Sequence, residues 1–319
     1  MTMNTTQTLT RPERQIAIGG PRPRPDSSAG DAVLAYLRAQ AQAMTALEPM
    51  VRADEFDSVH QMRVATRRLR AALRTFGLVV PDTDSAHLAG ELQWLGRLLG
   101  QARDGEVLAG HLRDSLRTVA PELLIGPVQA RVPGHYAPRQ AAAHDKLLAA
   151  LDSPRYARLL AELDRVTAGP PRGPQAAAPA RDILPPAVRR AYRQAKRRMR
   201  RARHTPPGPA RDIALHQARK SARRARYAAE AVTPAVGKQA RRFAQQMKQV
   251  QSVLGDHQDA VLARQAARDL GIGAHLSGEN AFTYGLLYEC EFRLARRRQA
   301  EASGVWKRAS RPRYRRWMN

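Results

Sequence analysis

The chain has 319 residues, with 54 Lys and Arg against 28 Asp and Glu, a formal net charge of +26. Self-repulsion on that scale works against a compact state unless an anion offsets it, which narrows the partners to nucleic acid, an anionic membrane or another phosphate polymer. Aromatic residues make up 5% of the chain, too few for a surface built on base stacking, and the single Cys290 excludes an intrachain disulfide or a multi-cysteine zinc site. No apolar run approaches the roughly 20 residues a membrane-spanning helix needs, so no membrane role is expected. The opening residues MTMNTTQTLTRPERQ carry no hydrophobic signal core, and a cytoplasmic protein is expected.

In chain order, residues 1–30 are rich in Thr, Pro, Arg and Gly without apolar periodicity and predict a disordered tail. Residues 31–169 are Ala/Leu/Arg-rich with helical spacing and predict a first half of about four helices. The Pro-dense stretch 170–186 predicts a linker. Helical character returns over 187–308, with breaks at HTPPGP (204–209) and TPAVG (233–237). Residues 309–319 read as a basic tail in which Tyr314 and Trp317 sit among arginines, a possible source of weak nonspecific nucleic-acid binding. No segment reads as a strand, so the expected class is all-α.

An internal repeat organises the chain. VHQMRVATRRLRAALRTF from Val59 aligns with LHQARKSARRARYAAEAV from Leu215, and seven of eighteen positions are identical. These pairs are His60/His216, Gln61/Gln217, Arg63/Arg219, Arg67/Arg223, Arg68/Arg224, Arg70/Arg226 and Ala72/Ala228. Upstream, Tyr36 matches Tyr192. Downstream, LLGQARD ending at Asp104 matches VLGDHQD ending at Asp259. Six of the seven shared residues are polar, while Leu69 and Leu73 have drifted to Ala225 and Ala229. A repeat kept for packing alone should show the reverse.

On a helix, His60, Arg63, Arg67, Arg70 and Arg74 fall within an arc of about 80°, opposite an apolar face. They form a cationic stripe some 20 Å long at 1.5 Å per residue. His216, Arg219, Arg223 and Arg226 repeat it, and Lys220 and Arg224 widen it. Rows of like charge at helical spacing cost helix stability, so a stripe without interleaved acids suits a track for a long polyanion. Each His, set beside arginines, should have its pKa pushed down and can still donate a hydrogen bond to a phosphate oxygen. In the helix before the second stripe, Arg189, Arg193, Lys196, Arg200 and Arg203 follow one side and are expected to extend the surface. Arg97 and Lys248, about a turn before the Leu-Gly pairs, are further candidate contacts. Asp104 and Asp259 read as orienting partners for the cations, and Gly100 and Gly255 as a helix kink or a close helix approach.

The two signatures, HQMRVATRRLR and HQARKSARRAR, each followed by Leu-Gly-x3-Asp, resemble the two halves of the CHAD family, over roughly residues 31–308. The resemblance implies two four-helix bundles in pseudo-twofold arrangement around a basic cavity or groove. It also implies binding of inorganic polyphosphate and association with polyphosphate granules, without catalysis. Some family members carry a triphosphate-tunnel hydrolase domain marked by Glu-x-Glu-x-Lys. That motif is absent here, so a stand-alone binding module is expected. The small set at Ala225 and Ala229 departs from the first signature and suggests closer packing of the second signature helix.

The rivals are weaker. His60, His216, His257, Asp104 and Asp259 could in principle ligate a metal, but no HxxxH or HExxH pair occurs and flanking arginines repel a dication, so no metal or cofactor is expected. Phosphoanhydride chemistry would need an acidic cluster to hold Mg²⁺, and none is visible. Nucleic-acid binding remains the alternative because phosphate contacts dominate it too, yet no docking motif is present.

Overall fold

The computed structural model describes residues 27–77, 82–170 and 173–319; the expected N-terminal tail lies outside them up to residue 26. Nine α-helices occur among the described residues: α1 (Ala29–Arg52), α2 (Ser58–Thr75), α3 (Asp82–Leu116), α4 (Val128–Leu151), α5 (Pro154–Ala168), α6 (Ala180–His204), α7 (Pro209–Val236), α8 (Lys238–Leu276) and α9 (Phe282–Ala309). The first half thus contributes five helices and the second four, where about four each were expected.

Local chemistry sets the boundaries. Ser28 caps α1, its Oγ accepting from the Asp31 amide at 3.1 Å. The first helical amides, Ala29 and Gly30, donate to the carbonyls of Ala178 and Ala176, and Ala180 donates back to Ser27. The start of α1 is therefore tied to the start of its repeat counterpart, α6. That tie moves two expected boundaries. The tail ends before residue 30, and the linker ends at Pro179 rather than 186, because α6 begins at Ala180 with Leu184 and Pro185 already buried. Of the two breaks expected around α7, the first is the short turn between His204 and Pro209. The second is Gly237 alone, whose φ of +83 is open to glycine and strained for L side chains.

The first signature helix is α2 and the second is α7. α2 packs on α1 and α3, and α7 on α6 and α8, while α2 meets α7, α1 meets α6 and α3 meets α8 across the halves. The core does not separate into two bundles. One cluster combines Leu37, Met44, Leu69, Leu73, Leu92 and Leu95 with Val188, Met199, Phe243 and Met247. A second joins Leu112, Leu116, Val128 and Val132 to Ala263, Ala267, Leu270 and Leu287. Each fully buried Leu contributes about 1.5–3 kcal/mol, so these shared clusters hold the halves as one body. Where α2 buries Leu69 and Leu73, α7 buries Ala225 and Ala229 completely.

The expected basic tail is folded. Two short 3-10 turns, Pro312–Tyr314 and Arg316–Met318, bring Met318 into the core and set the Trp317 ring edge-on to Phe243, 6.2 Å between centroids. Trp317 is thereby committed to packing rather than to stacking on a base. No helix among the described residues is long and apolar enough to cross a membrane.

Candidate functional site

The signature arginines lie where α2 and α7 meet, and each half builds its part in the same way. The guanidinium of Arg63 lies on the bare backbone of Gly100 in α3; a Cβ there would stand 3.3 Å from the terminal nitrogen. Arg63 Nη1 donates to Asp104 Oδ1 at 2.9 Å. In the second half Arg219 lies on Gly255 of α8, where a Cβ would meet its Nε and Nη2 at 3.4 Å. The two glycines thus make room for a guanidinium rather than for a kink or a helix. Arg219 Nε is buried without a hydrogen-bond partner among the described residues.

Arg67 and Arg223 come next along the two helices, and they act on each other. Burial, followed by the charges of Arg223, Arg63 and Arg219, pushes the Arg67 pKa down to about 9, with Tyr227 partly opposing. Arg223 is pushed down to about 10, by burial first and then by Arg219, Arg63 and Arg226, again with Tyr227 opposing. Both remain cationic at neutral pH. Neither has a carboxylate within 4.0 Å among the described residues. Four guanidinium groups are therefore gathered between the halves, and only Arg63 is in an ion pair.

His60 and His216 are half-buried on the same faces. The His216 pKa is lowered by burial first and then by Lys220 and Arg219, against a hydrogen bond with Gln258. The expected direction holds, but desolvation leads and like charge follows. His216 Nδ1 is buried and unpartnered among the described residues.

Beyond Arg67 the cluster continues through Arg70, Arg74 and Arg224. Burial and then Arg74 and Arg224 lower the Arg70 pKa, while Arg224 is lowered by burial and then by Arg74. Arg70 donates to the amide oxygen of Gln93, and Arg224 Nη1 to that of Gln194 at 2.8 Å. Arg224 widened the stripe in sequence but is a full member of this cluster.

Several candidates lie elsewhere. Arg226 is 3% exposed, pairs with Glu230 (Nε to Oε1, 2.6 Å) and reaches Gln251, so it belongs to the core and not to the cationic surface. Arg68 shares Glu230 at 3.3 Å. The acid four residues after Arg226 was the signal for this pairing. On α6, Gln194 marks the flank that faces Arg224, whereas Arg193, Lys196 and Arg200, all exposed, point 100° or more away from it at 100° per residue. The flank chosen from sequence is therefore not the one that faces Arg224. Arg190, Arg197, Arg198 and Arg201 share the face of Gln194, and that amide, unremarkable in sequence, was the only guide. Arg74, Arg97, Lys220 and Lys248 are exposed and held by no ion pair among the described residues.

The two signature acids differ. Asp104 pairs with Arg63 at 2.9 Å. Asp259 makes no ion pair within 4.0 Å among the described residues; burial raises its pKa, against the pull of Arg219 and His111 and reinforced by Asp104. Nearby, the buried Glu291 accepts from Ser115 Oγ and pairs with His111 Nε2 at 2.9 Å. Among the described residues no three His, Cys, Asp or Glu side chains gather to hold a metal ion.

The fold is all-α, with a half-buried arginine cluster between two repeated helices. The sequence model of the CHAD domain matches residues 35–268, and the chain belongs to that family. It is similar to two curated proteins of Mycobacterium tuberculosis, the uncharacterized proteins MT2285 and Rv2226, each 37% identical over 285 residues. The match covers 87% of this chain and 52% of theirs, so the chain spans about half the length of these relatives. Among solved structures it resembles the CHAD domain from the plant Ricinus communis, with a TM-score of 0.65 and 26% identity over 90% of this chain and 93% of that one. It also shares its fold with PptA from Streptomyces chartreusis, with a TM-score of 0.74 and 21% identity over 88% of this chain and all of that one.

Proposed function

We propose that this chain binds inorganic polyphosphate between α2 and α7, without catalysing its turnover, and that it acts at polyphosphate granules. The observation that carries the reading is the gathering of Arg63, Arg67, Arg219 and Arg223, with Arg67 and Arg223 half-buried and without a carboxylate within 4.0 Å among the described residues. Burying a cation without a counterion costs several kcal/mol, and such a cost is retained where a ligand supplies the countercharge. Guanidinium forks suit phosphate oxygens, which they bind in pairs. From Arg63 to Arg74 the cations run about 17 Å along α2 at 1.5 Å per residue, more than a single phosphate can use. A thin chain of phosphates without bases fits between two packed helices more readily than a duplex. The packed Trp317 also removes one of the two tail aromatics from any nucleic-acid reading.

The test is competition. Long-chain polyphosphate should displace DNA from the protein far more readily than DNA displaces polyphosphate, and log affinity should fall steeply with log salt. Preferential retention of DNA would overturn the reading. Incubation of the protein with polyphosphate and Mg²⁺ should release no orthophosphate; steady release would show an enzyme.

A further inference from the structure

The two ends of the arginine cluster differ in what holds them. At one end the neighbours are carboxylates: Asp104 pairs with Arg63, and Asp259 lies beside Arg219. At the other end, one to two turns further along α2 and α7, Arg70 and Arg224 are held by the side-chain amides of Gln93 and Gln194. Both kinds of partner fix the guanidinium by accepting its hydrogen bond. A carboxylate also cancels the charge and repels an approaching anion; an amide does neither. The charge of the first end is thus partly cancelled and that of the amide end left whole, so a polyanion that runs past the cluster is drawn towards the amide end.

The amide end leads onto α6. Of the six residues at spacings of three, four and seven from Gln194, which share its face, four are arginine, Arg190, Arg197, Arg198 and Arg201, and the other two are the buried Ala187 and Ala191. Arg198 is half-buried, Arg190, Arg197 and Arg201 are exposed, and none has a carboxylate within 4.0 Å among the described residues. α2 also touches α6, so this face adjoins the cluster.

We propose that the bound chain leaves the interfacial cluster at the Arg70 and Arg224 end and continues over the Gln194 face of α6, so that ligand length is read outside the cluster. This inference rests on the polyphosphate reading. From Arg190 to Arg201 the face adds about 17 Å of track at 1.5 Å per residue. Tripolyphosphate fills part of the cluster and never reaches α6, whereas a long chain occupies both.

The experiment compares tripolyphosphate and long-chain polyphosphate by calorimetry on the full chain. The double variant Arg197→Glu/Arg201→Glu changes exposed residues and leaves the fold intact. It should weaken long-chain binding about tenfold or more, through lost charged contacts, and leave tripolyphosphate binding within about threefold. The control Arg193→Glu/Arg200→Glu makes the same change of charge on the other flank of α6 and should cost the long chain much less. Equal losses from both double variants, or equal losses for both ligands, would overturn the inference while leaving the cluster as the site. Wild-type protein that binds neither ligand would overturn the polyphosphate reading itself.

Discussion

The guanidinium of Arg63 rests on the backbone of Gly100, so close that a Cβ on residue 100 would stand 3.3 Å from its terminal nitrogen. The far end of an arginine can shift aside cheaply, and alanine is favoured over glycine within a helix by roughly 0.5–1 kcal/mol. The ion pair given up, to an Asp104 that is 69% exposed, is worth about 1 kcal/mol or less. Gly100→Ala should therefore melt at or slightly above wild type, yet bind polyphosphate about tenfold more weakly because Arg63 is displaced. Gly255→Ala should do the same through Arg219. Melting curves and titrations on one sample decide it, and a stability loss above about 2 kcal/mol would give these glycines a packing role instead.

Arg67 tests whether the cluster costs the empty protein stability. Arg67→Met keeps an unbranched, flexible stem and removes a charge pushed against Arg223, Arg63 and Arg219. At low salt the variant should melt a few degrees higher than wild type and show a reduced upward shift with polyphosphate. Added salt should narrow the gap between the two proteins. A lower melting point with an undiminished ligand shift would make Arg67 a scaffold residue.

Arg223 and Arg226 stand three residues apart and should behave in opposite ways. Arg223→Gln should spare stability and weaken binding. Arg226→Gln breaks a buried pair with Glu230 and should cost about 2–3 kcal/mol, with Arg68 retaining part of the acid's charge. Its effect on affinity, measured well below the melting point, should be small. Denaturant titration of the two variants gives the comparison.

His216 supplies the pH dependence. Its folded pKa lies below the usual 6.5, through burial and then Lys220 and Arg219 on its own helix, with Arg223 adding and Gln258 of α8 opposing. Above 6.5 the ring is neutral whether folded or unfolded and contributes nothing. As pH falls below 6.5 the unfolded ring gains a proton before the folded one, so the empty protein loses stability. Bound phosphate raises the ring's pKa, so binding below pH 6.5 should take up a proton and strengthen. Calorimetry in buffers of differing ionisation enthalpy measures the uptake. His216→Gln should remove it, and the polymer's own end groups cancel in that comparison. Equal uptake by both proteins would place His216 outside the site.

The sequence carried the helical class, the repeat and the arginines at 63, 67, 219 and 223, because period and identity survive without coordinates. It could not separate Arg223 from Arg226 by helical angle, since both fall on one broad face. The separation comes from Gln251, contributed by α8, and from Glu230, whose i,i+4 spacing was visible but carried no weight beside the repeat. The choice of flank on α6 differs from the flank that meets Arg224 for a related reason. A helix that is basic nearly all round has no polar moment to orient it, and only the contact of Gln194 with Arg224 does so. Gly100 and Gly255 were legible as sites of close approach, but what approaches them is a side chain from a segment some 40 residues away.

The unneutralised pair Arg67 and Arg223 also bears on how long the protein survives in a cell. A fold that carries internal repulsion when empty opens more often, and proteases act on the opened form. On the polyphosphate reading, each bound molecule is withdrawn from that loss, so the amount of protein should rise and fall with the phosphate store at a constant rate of synthesis. Its turnover would then act as a gauge of the polymer it holds, with no dedicated sensor beyond two arginines facing each other across a repeat.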